Sequence, residues 1–64
     1  MRLKEIRREK GMNQTQLAEL AGLTQAFVCE IETGKKTPSF ATLVRIAKAL
    51  NCSLDELAGM EETA

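Results

Sequence analysis

Residues suited to starting a helix and residues suited to stopping one alternate along this chain at intervals of about one short helix, and that punctuation constrains the fold more than anything else in the sequence. The starters are Asn13, Thr24, Ser39 and Ser53; the stops are Gly11, Gly22, the Thr33-Gly34 pair, Asn51 and Gly59. A starter's side-chain oxygen accepts from an amide that the first helical turn leaves orphaned, and a glycine or asparagine takes the left-handed conformation that closes a helix end. Gln16 three residues after Asn13, and Glu56 three after Ser53, turn two of these starts into capping boxes. Pro38 cannot continue a helix begun upstream.

Cut at these points, the chain reads as five helical segments. The first lies within Arg2 to Lys10, with Leu3 and Ile6 inward; the second spans Gln14–Ala21, burying Leu17, Ala18 and Ala21. Leu23 drops into the core before Thr24, and the third covers Gln25–Glu32. The fourth is Phe40–Leu50, where Leu43, Ile46, Ala47 and Leu50 follow the i, i+3, i+4, i+7 rule, and a short fifth turns Leu54 and Leu57 inward over Cys52. No strand, repeat or low-complexity stretch interrupts the series. The predicted fold is an all-α five-helix bundle over residues 1–59, with an acidic tail at 60–64. At 64 residues the chain holds one domain, near the lower limit for an unaided apolar core.

Charge is informative only by position. Nine basic and nine acidic residues cancel, yet residues 1–50 hold all nine bases against five Glu, and residues 51–64 hold Asp55, Glu56, Glu61 and Glu62 with no base. No apolar run approaches membrane-spanning length, and charges occupy the place of a signal peptide's apolar stretch, so a cytoplasmic protein without membrane contact is expected. Cys29 and Cys52 form no CxxC motif and have no histidine to join them, which argues against zinc or any other metal; no cofactor is expected. With neither His nor Tyr, and no nucleophile beside a recognisable base, an enzyme is not expected.

The window Gln14 to Thr33 carries the function: two short helices, a turn containing Gly22, and the small Ala18 where the pair must approach. The segments IRREKGMNQTQLAELAGLTQAFVCEIETGKKTP and LVRIAKALNCSLDEL resemble the lambda-type repressor and Cro family of helix-turn-helix domains across nearly the whole chain. The resemblance implies a recognition helix at Gln25–Glu32 in the major groove, with Gln14–Ala21 laid across the DNA backbone. It also implies a homodimer bound to a palindromic operator and acting as a transcriptional repressor.

Helix geometry divides the third segment independently of that likeness. Thr24, Val28 and Ile31 point to one side, whereas Gln25, Ala26, Cys29 and Glu30 project to the other, where DNA can reach them. The Gln25 amide can bond adenine through N7 and N6; Ala26 and Cys29 suit a thymine methyl or act as small fillers; Glu30 either accepts from cytosine N4 or is merely tolerated. A thiol at position 29 would also disturb docking once oxidised. Gln14 at a helix start favours a phosphate, and the resemblance adds a brace from Gln14 to Gln25. The resemblance also implies phosphate contact by Lys35, Lys36 and Thr37 in the loop after the third helix.

Arg7 and Glu32 match charged positions that pair in related domains and are read as a structural ion pair, with a phosphate as a second use of Arg7. Phe27 falls between the two faces and closes the core edge or lies against a sugar. Phe40, Ala58 and Met60 are the dimer candidates. A competing reading stays open: an antitoxin or another protein-interaction module, in which DNA binding is secondary or absent. Neutral net charge and the acid at position 30 support it; Gln14, Gln25, Lys35 and Lys36 oppose it.

Overall fold

The computed structural model describes residues 1–59. Five helices follow one another: α1 (Leu3–Glu9), α2 (Gln14–Ala21), α3 (Gln25–Glu32), α4 (Phe40–Leu50) and α5 (Leu54–Ala58). The starts are closed by the side chains that the sequence offers. Asn13 and Gln16 exchange bonds of 2.8 and 2.9 Å across the first turn of α2, and Ser53 and Glu56 do the same for α5 at 3.0 and 3.2 Å. Thr24 accepts from the Phe27 amide at 3.1 Å, and Ser39 from the Thr42 amide at 3.2 Å.

Among the described residues, the ends of α1 to α4 are closed in the same way. After α2, the Leu23 amide donates to the Ala18 carbonyl at 2.8 Å and the Gly22 amide to the Glu19 carbonyl at 3.4 Å, the paired closure of a Schellman motif. Gly22 stands at φ 71°, where a side chain would be strained. The same pairing closes α1 at Gly11, α3 at Gly34 and α4 at Asn51, the one residue other than glycine with positive φ among those described. Asparagine tolerates that conformation better than most residues.

These ends do more than stop helices. The residue after each left-handed position usually packs back on the helix it follows. Met12, Leu23 and Cys52 occupy that position after α1, α2 and α4, and all three lie half-buried against the core.

Every helix contributes a fully buried aliphatic side chain: Leu3, Leu17, Val28, Ile46 with Leu50, and Leu57. The arrangement centres on α2, which packs against both α3 and α4, while α5 joins α4 to α1. The Arg2 amide donates to the Leu57 carbonyl at 2.8 Å and so ties the start of α1 to α5. Ala18 and Ala21 share the inner face of α2 with Leu17. Their short side chains let α3 and α4 approach one helix from two sides.

A methyl group added at Gly22 would sit 3.4 Å from Arg45 Nη2, an ordinary contact. The cost of Gly22→Ala is therefore that of the left-handed backbone, about 1–2 kcal/mol. Urea unfolding is expected to show a loss of this size with unchanged m, and a loss near zero would mean that the turn relaxes to another closure.

Candidate nucleic-acid interface

The two faces of α3 separate cleanly. Val28 and Ile31 are buried, Gln25 and Ala26 are exposed, and Cys29 and Glu30 are half-buried along the same outward strip. Phe27 lies half-buried against the core edge. Thr24 departs from the inward position predicted for it: it is exposed, because its hydroxyl is committed to capping and its backbone is extended rather than helical. A cap residue stands outside the helix, so helical phase does not apply to it.

A polar chain runs from α1 to the tip of this strip. Arg7 Nε lies 2.7 Å from Glu32 Oε2 and Nη2 lies 3.2 Å from Oε1, a two-pronged ion pair. Arg7 Nη1 donates to the Met12 carbonyl at 2.7 Å. From Glu32 the chain continues outward: Gln14 Nε2 donates to Oε1 at 3.0 Å, and Gln25 Nε2 donates to Gln14 Oε1 at 2.6 Å. The side chains of Arg7 and Glu32 are only 8% and 3% exposed. That burial removes the second use considered for Arg7, since a guanidinium enclosed between Glu32 and the α1 end does not reach a phosphate.

The bond from Gln14 to Glu32 and the anchor on Met12 had no signal in the sequence. Both join residues brought together only by the packing of α1, α2 and α3.

Lys35, Lys36 and Thr37 are all exposed. The Lys35 and Lys36 amides donate to the Glu30 carbonyl at 2.9 and 3.2 Å, and the Thr33 hydroxyl donates to the Cys29 and Glu30 carbonyls at 3.0 and 3.3 Å. The loop is thus folded back on the end of α3 while its lysine side chains point to solvent. Lys35 holds the position that Met12, Leu23 and Cys52 fill after the other three helices closed this way, yet it does not plug the core.

At the other end of the interface, the first turn of α2 brings helix-start amides and the positive end of the helix dipole beside the Gln14 side chain. Both cysteines are free thiols. Burial pushes the Cys52 thiol above its ordinary value and Glu56 adds to the effect, against a smaller opposite pull from Lys10.

Burial by itself would raise the Glu32 carboxyl. The bonds from Arg7 and Gln14, the Arg7 charge and, more weakly, Lys4 outweigh it and hold the group below its ordinary value of 4.5. A carboxyl that ionises more readily in the folded chain adds stability above the unfolded pKa and loses it as pH falls through the folded one. The loss therefore falls below pH 4.5. Acid titration of stability is expected to be shallower below that pH in Glu32→Gln than in the wild type, and identical slopes would show that Glu32 gains nothing from its partners.

Among the described residues no helix is long and apolar enough to cross a membrane. The family described as Helix-turn-helix (HTH_3) matches residues 3–57. The chain is similar to the HTH-type transcriptional regulator PuuR of Escherichia coli, with 42% identity over 86% of this chain and 30% of the relative. It is similar to the immunity repressor protein of Bacillus phage phi105, with 38% identity over 94% of this chain and 42% of the relative. It thus spans less than half the length of either. Its backbone superposes on the restriction-modification controller protein C.AhdI of Aeromonas hydrophila with a TM-score of 0.85, at 38% identity, covering 88% of this chain and 85% of that one. The buried frame, the outward strip of α3 and these likenesses agree: the chain belongs to the helix-turn-helix family, in its lambda-type repressor and Cro branch.

Proposed function

We propose that this chain is a sequence-specific transcriptional repressor, a binding protein rather than an enzyme, that docks as a homodimer on a palindromic operator with α3 in the major groove. The observation that carries the reading is the amide of Gln25, exposed in the first turn of α3 and braced by Gln14 at 2.6 Å. An amide held there at little further entropic cost suits a base edge. Beside it, Ala26 and Cys29 offer contact to a thymine methyl and Glu30 an acceptor for cytosine N4. Gln14, Lys35, Lys36 and Thr37 supply phosphate contacts that orient the helix without reading sequence. The phage relative named as an immunity repressor supports repression over activation.

One recognition helix reads few base pairs, so affinity comes from two half-sites about one helical turn apart. A largely apolar groove, lined by Met1, Phe40, Leu43, Leu54, Leu57 and Ala58 with Asp55 beside them, supports self-association at α4 and α5. Phe40 is 71% exposed there and Met1 60%, so two large apolar side chains of the same groove meet solvent. Met60 lies outside the described residues.

Gln25→Ala is expected to remove about 1–3 kcal/mol of discrimination at one base pair per half-site. Lys35→Ala and Lys36→Ala should weaken all sequences alike, each reducing the slope of log K against log salt by about 1. Binding titrations on duplexes differing by single base pairs separate the two effects; uniform weakening from Gln25→Ala would contradict base reading. In sedimentation, two copies per palindromic duplex are expected, and one copy with or without DNA at micromolar concentration would contradict the homodimer.

A further inference from the structure

The polar chain from Arg7 to Gln25 has a direction, and its buried end sets that direction. An ionised carboxylate accepts hydrogen bonds and donates none, whereas a guanidinium only donates. Arg7 holds Glu32 by both prongs in a site where the carboxylate side chain is 3% exposed. Glu32 therefore offers Gln14 an acceptor alone, and the NH2 end of the Gln14 amide must face it, as it does at 3.0 Å. The carbonyl end of Gln14 then points outward, and Gln25 must answer with its own NH2, at 2.6 Å.

What Gln25 has left for DNA is one acceptor, its Oε1, and one remaining N–H donor. That pair complements adenine, which presents the N7 acceptor beside the N6 donor; guanine presents two acceptors, N7 and O6, and leaves Oε1 facing oxygen. We propose that the Arg7–Glu32 ion pair is a specificity-determining positioning element, which selects adenine over guanine at the Gln25 contact by fixing the polarity of two intervening amides. Arg7 and Glu32 are both buried and act through Gln14 and Gln25. The inference rests on reading Gln25 as a base contact, and it adds the reason one base is chosen there.

Glu32→Gln tests it by reversing the chain. Arg7 still requires an acceptor, so the new amide turns its carbonyl to Arg7 and its NH2 to Gln14. Gln14 then donates to Gln25 Oε1, and Gln25 shows DNA two donors. At the base pair whose preference Gln25→Ala alters, the wild type is expected to favour adenine over guanine by about tenfold or more. In Glu32→Gln that ratio shifts toward guanine by a similar factor, whatever happens to overall affinity. In the DNA-free protein, NMR of the side-chain amides should show a hydrogen-bonded Gln25 NH2 in the wild type and its loss in Glu32→Gln.

Gln14→Ala leaves the ion pair in place and covers the case in which the first variant does not fold: it should free the Gln25 amide and lower the adenine preference severalfold. Equal weakening on both duplexes by Glu32→Gln, or by Gln14→Ala where only that variant folds, would overturn the relay and leave a purely structural pair. An unchanged Gln25 amide signal in either variant would overturn it as well. If the amides reverse as expected but Gln25→Ala alters no base preference, base contact by Gln25 fails, and the selectivity claim with it.

Discussion

The inner face of α2 decides the rest of the structure. Leu17 is wholly enclosed, and Ala18 and Ala21 beside it are small enough for α3 and α4 to lie against the same eight-residue helix. A helix of that length has little stability alone, so its order comes from this packing. Both of its ends then place the outward strip of α3: Gln14 emerges at the start, and the Gly22 closure at the end launches α3 on its path. A bulkier residue at position 18 would separate the helices, moving Gln25 relative to Gln14 and lowering stability.

The Arg7–Glu32 pair plays a different part from the aliphatic core. Removing two charges from water costs several kcal/mol per ion, and their attraction offsets this only with well-formed geometry and further bonds. Those bonds are present in the Met12 carbonyl and the Gln14 amide. Such a pair does little for net stability compared with an apolar substitute, but it defines geometry strictly because neither charge tolerates losing its partner. Two glutamines continue its hydrogen bonding outward, from Glu32 through Gln14 to Gln25 at the start of α3.

The helices were legible because their ends are specified locally. Asn13 with Gln16, Ser53 with Glu56, and the stops at Gly22 and Asn51 act within a few residues of themselves, so α2, α3 and α4 were predicted with their observed limits. Thr24 lies on the outer side despite its inward helical phase, because a cap stands outside the helix whose period it would otherwise follow. The outward strip of α3 was readable for the same local reason. Less readable were the bonds across helices: the Arg7–Glu32 pairing was implied by family likeness, while the link from Glu32 to Gln14 depends on tertiary packing that no local pattern encodes. Burial of Arg7, and its withdrawal from any phosphate, followed only from the same packing.

The most direct test of the interface is to record backbone and side-chain amide shifts while titrating a short DNA duplex at low salt, where phosphate contacts suffice for binding. The largest changes are expected at Gln14, along Gln25 to Glu30, and at Lys35 to Thr37, with Arg45 and Lys48 on α4 little affected. Changes centred on Arg45 and Lys48, with the first turn of α3 unmoved, would contradict the assignment of α3 as the helix that reads DNA.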